Sequence, residues 1–134
     1  MVTLEIAKKI ATACEEKARE LGIPMGIAVV DASGRLILSL RMDGASWITP
    51  EVARAKACAA AAFGMPTSQM REMAQAFPDF FAGLTVLTGG HFAAAGGGLP
   101  LRAGERIIGG LGVAGGPPEL DEACAQAGVR LLEE

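Results

Sequence analysis

Two β-rich segments separated by only three residues constrain the fold of this chain more than any other feature. Residues 25–31 (MGIAVVD) form a short apolar run, and residues 35–42 (RLILSLRM) place their leucines two apart, which is the period of a β-strand. The connecting Ala-Ser-Gly predicts a β-hairpin turn. Because a short turn joins antiparallel strands, we expect an α+β fold rather than a doubly wound α/β fold.

Helix-capping residues predict helices on both sides of this hairpin. Thr3 is placed to begin a first helix. Thr49 and Pro50 begin a second one, whose alanine-rich sequence leaves room for another backbone to approach closely. Two further helices are expected to begin at Pro66 and at Pro117.

The second half of the chain is expected to contribute three more strands. They are placed at 84–89 (LTVLTG), within 89–101 (GGHFAAAGGGLPL), and from Arg106 onward, after a turn at 102–105 (RAGE). The predicted order of elements is αββααβββα, in one domain spanning residues 1–134. The prediction is therefore a five-stranded antiparallel sheet flanked by helices.

Composition argues against several classes of function. With a net charge of −3, no basic stripe and 4% aromatic residues, the chain has neither the charge nor the stacking side chains expected for nucleic-acid binding. It contains no run of 18 apolar residues, so we expect no membrane span. Its three cysteines lie far apart in helical segments and are expected to be reduced core residues. This favours the cytoplasm, with a removed signal peptide left open as an alternative.

The sequence GLGVAG (110–115) matches the GxGxxG pattern of dinucleotide-binding loops, but its surroundings argue against that function. Its glycines lie within a predicted strand, and no second parallel strand follows the last helix. Acidic residues at the start of that helix would repel a pyrophosphate. We expect the glycines instead to allow close backbone approach, to a ligand or to a neighbouring subunit.

His91 is the only histidine of the chain, and it lies between glycines in TGGHFAAAGGG. A histidine in a glycine-rich connection is commonly a solvated loop residue. The alternative is a ligand of a metal or of haem iron, or a general base at the mouth of a pocket, since glycines let a flat or bulky ligand approach the backbone. The candidate metal ligand is therefore His91, and Gly97 and Gly98 are candidate ligand-binding residues.

Charged residues at the end of the hairpin form a second candidate group. Arg41 and Asp43 are two residues apart, which predicts one shared strand face, where Arg41 would bind a carboxylate or propionate. Lys56, on the next helix, would add a second positive group. The alternatives are structural: Asp43 forms a turn that Arg41 braces, and Lys56 lies on a solvated face. Trp47 is expected at the sheet edge or in a subunit contact.

Several stretches of the chain resemble, in order, the GlcG/HbpS family, also met as the C-terminal domain of PduO-type corrinoid adenosyltransferases. They are AVVDASGRLILSLRMDGA, ARAKACAAAAF, GGGLPL, and ERIIGGLGVAGG with ELDEACAQAG. The resemblance covers nearly the whole chain and implies a profilin-like fold with five antiparallel strands, a homo-oligomer, and haem binding in some members. It assigns no axial ligand. The first helix has no histidine, so the haem ligand that some relatives take from that helix is absent here.

Two functions follow as hypotheses. In the first, an oligomeric module binds haem or a related tetrapyrrole through His91, for haem sensing or degradation. In the second, an enzyme encoded in a catabolic operon acts on a small organic acid or carbonyl compound, with Arg41 holding a carboxylate and His91 or Asp43 moving a proton. The chain contains an acid, a cation and one titratable base, which is the minimum that such an enzyme needs. The binding module is the preferred interpretation.

Overall fold

The computed structural model describes residues 1–133, in which helices and strands follow in the order αββαααββα. The helices are α1 (Leu4–Leu21), α2 (Thr49–Phe63), α3 (Thr67–Ala76), α4 (Pro78–Leu87) and α5 (Pro118–Glu133). The strands are β1 (Gly26–Asp31), β2 (Leu36–Arg41), β3 (Gly98–Ala103) and β4 (Arg106–Ala114). They form one antiparallel sheet in the order β2-β1-β4-β3. No helix in this part of the chain is long and apolar enough to cross a membrane.

The β1–β2 hairpin confirms the strand pairing predicted from the sequence. The two strands are antiparallel, and Ile27 lies opposite Leu40. Asp31 closes the turn, because its carboxylate accepts hydrogen bonds from the backbone N–H groups of Ser33 at 2.9 Å and Arg35 at 3.0 Å. An antiparallel sheet flanked by helices agrees with the predicted α+β class.

The predicted fifth strand and the predicted order αββααβββα are wrong, because residues 84–89 do not form a strand. Most of them belong to α4, which Pro78 begins in the first helical turn. The short apolar run LTVLTG is compatible with a strand or with a buried helix. The helix prevails because a spacing of three puts Phe81 and Leu84 on one face, where both pack into a second hydrophobic core.

The two faces of the sheet differ because alternate residues of the central strands differ in size. Large side chains pack with α1 and α5 in the main hydrophobic core, whereas smaller residues face α2. The residues facing α1 and α5 include Ile27, Val29, Leu111 and Val113, and those facing α2 include Ala28, Val30, Gly110 and Gly112.

Helix α2 lies directly against the backbone of β4. A Cβ atom on Gly112 would overlap the carbonyl of Ala53, and one on Gly110 would overlap the carbonyl of Ala57. Glycine is therefore required at both positions. The close backbone approach predicted for these glycines is confirmed, and so is their place within a strand. Their partner is α2 of the same chain, and not a ligand or a neighbouring subunit.

Three phenylalanines form an aromatic cluster (Phe63, Phe81 and Phe92) on the side of α2 away from the main core. The ring centroids of Phe63 and Phe92 are 5.5 Å apart, and those of Phe81 and Phe92 are 5.9 Å apart. Such tilted and edge-on pairs stabilise a core beyond their buried area. The aromatic cluster thereby holds α4, and the segment that follows it, against the end of α2.

The cysteines are all free thiols, and two of them confirm the prediction of core residues. Cys14 and Cys124 are fully buried in the main core, on α1 and α5. Burial raises the pKa of the Cys14 thiol to about 12 and that of Cys124 to about 11, so both are protonated at neutral pH. Cys58 differs, because it is only half-buried and lies at the edge of α2.

A candidate ligand pocket at His91

His91 lies in the wall of a cavity of about 340 Å³ between α2, α4 and the β1–β2 turn. The residue is half-buried, and most of the surface around it is apolar. Besides His91, the walls include Cys58 and Phe63 from α2, Leu84 and Thr88 from α4, and Phe92. An apolar concavity with a few polar groups is the usual form of a small-molecule site.

Two glycines reverse the chain after α4 and bring His91 to the cavity. Gly89 and Gly90 have φ angles of 66° and 90°, in the left-handed region that glycine adopts without strain. The backbone N–H of Gly90 donates to the Thr85 carbonyl at 2.8 Å, and that of His91 donates to the Thr88 carbonyl at 3.3 Å. The helix end is thereby capped, and His91 is held beside the last turn of α4.

The His91 imidazole is the one metal-ligating nitrogen in the wall of this cavity, and it is available to a ligand. It makes no hydrogen bond to any of the described residues 1–133. By contrast, the Thr88 hydroxyl donates to the Leu84 carbonyl at 2.7 Å, and the Cys58 thiol donates to the Gly34 carbonyl at 3.3 Å. An imidazole nitrogen with a free lone pair is a good ligand for a transition metal.

Cys58 is a pocket residue that sequence reasoning missed, because it was assigned to the core. Burial raises the pKa of its thiol, and the nearby Arg54 guanidinium partly opposes the rise. Arg54, Cys58 and Ala62 are four apart on α2, so they share a face next to the one that packs on the sheet. That spacing was the available signal. The Arg54 Nε atom is buried and has no hydrogen-bond partner within residues 1–133.

Arg41 and Asp43 lie at the opposite end of the hairpin from this cavity. Gly34 lines the cavity, and Arg41 lies seven residues further along, which on an extended strand is about 20 Å. Arg41 ends β2, and Asp43 lies in the turn that follows, as the structural alternative predicted. Both are exposed and border a separate, shallow depression. The structure does not bring either residue together with His91.

Lys56 is buried, so the alternative that placed it on a solvated helix face is wrong. Its ammonium donates to the Asp121 carboxylate at 2.9 Å and to the Val113 carbonyl at 3.0 Å. Burial raises the pKa of the Asp121 carboxyl, and the Lys56 ammonium opposes that rise. These contacts occupy Lys56 within the protein, away from both Arg41 and the His91 cavity.

Gly97 and Gly98 lie beside this buried ion pair. Gly97 has a φ angle of 124°, and a Cβ atom there would lie 2.8 Å from the Lys56 ammonium nitrogen. The backbone N–H of Gly98 donates to the buried hydroxyl of Thr67 at 2.8 Å. Both glycines therefore approach groups of their own chain. Their predicted role beside a ligand stays a prediction.

The antiparallel sheet with helices on both faces, together with a histidine-bearing apolar pocket, defines a small α+β domain with a candidate ligand site. This chain belongs to the HbpS-like family, described as haem degrading protein HbpS-like, whose profile matches residues 2–130. The resemblance seen in the sequence motifs is thereby confirmed.

Two curated relatives are similar over most of this chain. An uncharacterised 15.0 kDa protein from the dhaT-dhaS intergenic region of Citrobacter freundii is 32% identical over 133 residues, covering 99% of this chain and 93% of that protein. The corrinoid adenosyltransferase PduO of Salmonella typhimurium is 31% identical over 124 residues, covering 92% of this chain. The match spans only 37% of PduO.

Solved structures share the fold closely. Klebsiella pneumoniae protein ORFY superposes with a TM-score of 0.89 at 31% identity, covering 98% of this chain and 90% of that one. A double mutant of Streptomyces reticuli HbpS superposes with a TM-score of 0.87 at 34% identity, covering 98% of this chain and 87% of that one. The structure of a PduOC:heme complex superposes with a TM-score of 0.83 at 29% identity, covering 94% of this chain and 91% of that one.

Proposed function

We propose that this protein binds haem, or a closely related tetrapyrrole, in the cavity at His91. The observation that carries the proposal is one imidazole without a hydrogen-bond partner among residues 1–133, in the wall of an apolar cavity. A porphyrin supplies its own equatorial nitrogens, so the protein need provide only an axial ligand, and histidine is the commonest one. Membership of the HbpS-like family and the likeness to a PduOC:heme complex support the same ligand.

The walls of the cavity suit a flat, apolar macrocycle. Phe63 and Phe92 present aromatic rings, and Leu84 adds an aliphatic surface. Such walls favour contact with a conjugated ring. Bound haem would supply a redox-active iron, and the contribution of this chain would be to ligate it through His91. This binding would serve haem sensing or haem degradation.

The enzyme hypothesis places His91 or Asp43 beside Arg41 on one small substrate, and its first form requires Arg41 and His91 to lie close together. Their separation by the length of a strand does not support that arrangement within one chain. The cluster of Arg41 and Asp43 with Glu15 and Arg19 is exposed and holds charges of both signs. Binding of a tetrapyrrole at His91 is therefore the function that the geometry supports best.

Titration of the purified protein with hemin tests the proposal. We expect a Soret shift that saturates at a fixed ratio of hemin to protein, and we expect His91→Ala to change the spectrum and weaken binding at least tenfold. Folding should persist, since half-buried His91 contributes little to either core. Arg41→Ala is the control, because Arg41 lies far from the cavity. Absorbance that rises without saturation, or identical spectra for His91→Ala and the parent, would contradict the proposal.

A further inference from the structure

We propose that a second cavity, beside the β1–β2 turn, binds a small α-amino acid with an aliphatic side chain. The cavity has a volume of about 460 Å³ and lies on the sheet face that carries the main core. The His91 cavity lies on the other side of the same turn, against α2. The proposal concerns a separate ligand site and does not depend on haem binding.

Asp31 contributes a carboxylate to this cavity. Val29 belongs to the main core and Val30 packs against α2, so the alternation of the strand turns Asp31 to the main-core face. The N–H groups of Ser33 and Arg35 both donate to its Oδ1 atom. Its Oδ2 atom accepts no hydrogen bond within residues 1–133. One carboxylate oxygen is therefore held in place by the turn, and the other is free to accept from an ammonium group.

Arg106 contributes a guanidinium to the same cavity. The next side chain, that of Ile107, lies towards the end of α2, because a Cβ atom on Gly64 would be 3.5 Å from it. Alternation therefore turns Arg106 to the opposite face, which is the face of Asp31. Within residues 1–133 this guanidinium forms no salt bridge, neither with Asp31 nor with another acid. Its planar group is suited to bind a carboxylate through two parallel hydrogen bonds.

Apolar side chains line the cavity beside these two charges. Val2 is only 6% exposed, and Ile37 and Ile108 are half-buried against the main core. They offer an aliphatic surface to the side chain of a ligand. The volume of about 460 Å³ lies within the roughly 300–1,000 Å³ that is usual for small-molecule sites.

Two opposite charges that line one cavity without pairing favour a zwitterion as the ligand. A monoanion bound to Arg106 would bring its charge towards Asp31, and a monocation bound to Asp31 would bring its charge towards Arg106. An α-amino acid carries an ammonium and a carboxylate on the same carbon, so it satisfies both groups at once. The apolar walls then select an aliphatic side chain over a charged one.

The first test is a titration of the protein with L-leucine, followed by NMR chemical shifts. We expect saturable binding with a dissociation constant below about 1 mM. N-acetyl-L-leucine lacks the ammonium group and L-leucinamide lacks the carboxylate, so each should bind at least tenfold more weakly. Absence of saturation up to roughly 10 mM leucine would overturn the proposal, and so would equal affinity for the three compounds.

The second test assigns each charge of leucine to its residue. Arg106→Gln should weaken leucine binding at least tenfold and leave leucinamide binding unchanged, because leucinamide has no carboxylate to lose a partner. Asp31→Asn should weaken leucine binding at least tenfold and leave N-acetyl-leucine binding unchanged. The asparagine side-chain oxygen still accepts the N–H groups of the turn, so the hairpin should persist.

Arg71→Gln is the matched control, because Arg71 is an exposed arginine of α3 outside the cavity. It should leave the affinity for leucine unchanged. If Arg106→Gln weakens leucine and leucinamide equally, or if it weakens neither, the proposed site is wrong. Should Asp31→Asn disturb the fold, as measured by circular dichroism, the exposed Arg106 decides the question alone. Hemin takes no part in these titrations, so failure of the proposed haem site would not affect their result.

Discussion

The Lys56 ammonium lies 2.9 Å from the Asp121 carboxylate, and the two residues are only 4% and 2% exposed. Lys56 belongs to α2 and Asp121 to α5, which pack on opposite faces of the sheet. The ion pair passes beside Gly97, where the absence of a side chain leaves room for the ammonium. Asp121 also accepts a hydrogen bond from the backbone N–H of Gly116 at 2.8 Å. The pair therefore ties the two helical layers together at the end of β4.

Breaking this pair from one side should be costly. We expect Lys56→Met to lower the free energy of unfolding by about 3–5 kcal/mol, because it leaves a buried carboxylate without its counter-charge. The double variant Lys56→Met/Asp121→Leu should lose less than Lys56→Met alone, since no charge is then left buried. Urea denaturation of both variants, and of Asp121→Leu, measures the coupling. Simple additivity of the two single losses would show that the residues do not act as a pair.

The contact between Gly112 and Ala53 predicts an intolerance to the smallest side chain. Gly112→Ala should destabilise the protein by about 3 kcal/mol or more, at the upper end of overpacking effects, because the added methyl group meets backbone that cannot rotate away. Gly83→Ala is the matched control. It adds the same methyl group to an open helical position, where stability should be unchanged or rise by up to about 1 kcal/mol. Thermal unfolding of the two variants measures the contrast, and similar melting temperatures would contradict it.

The buried thiols predict a loss of stability in alkali. The pKa of Cys14 is about 12 in the folded protein, against 9.0 for a free thiol. Between these values the unfolded chain loses a proton that the folded chain keeps, so the free energy of unfolding falls as pH rises above 9. The slope for one thiol approaches about 1.4 kcal/mol per pH unit. Urea denaturation at pH 8, 9 and 10 should show a shallower decline for Cys14→Ala than for the parent. Parallel declines would exclude Cys14 as a cause.

Haem binding through an imidazole predicts a dependence on acid. Protons compete with iron for an imidazole nitrogen, so we expect bound haem to be released in acid. The Soret band followed from pH 8 to pH 4.5 measures this, with circular dichroism over the same range to confirm that the fold persists. A spectrum that stays constant to pH 4.5 in folded protein would argue for an oxygen or sulfur ligand.

Sequence patterns predicted those parts of the fold that depend on neighbouring residues. The Thr3 cap of α1, which accepts a hydrogen bond from the Ile6 N–H, and the β1–β2 turn are both local. Residues 84–89 were wrongly assigned to a strand, because a short apolar run is equally compatible with a strand and with a buried helix. Only contact with the aromatic cluster distinguishes the two.

The candidate site was predictable only in part, for a similar reason. The chemistry of His91 could be read from its neighbours, since glycines on both sides set the backbone. The partner of Lys56 could not be predicted from the sequence, because Asp121 follows it by 65 residues. The two residues come into contact only when both helices pack on the sheet. For Cys58, helical spacing could have separated its face of α2 from the sheet-facing alanines, but the spacing does not show which part of the chain lies next to that face.

The glycines of β4 also set the dimensions of a cavity that they do not touch. Helix α2 rests on Gly110 and Gly112 with one side and contributes Cys58 and Phe63 to the His91 cavity with another. The distance between α2 and the sheet therefore depends on the absence of a side chain at these two glycines, and the gap between α2 and α4 depends on that distance. A larger residue at Gly110 or Gly112 would push α2 away from the sheet. It would thereby displace one wall of the His91 cavity, although every residue that lines the cavity would be unchanged.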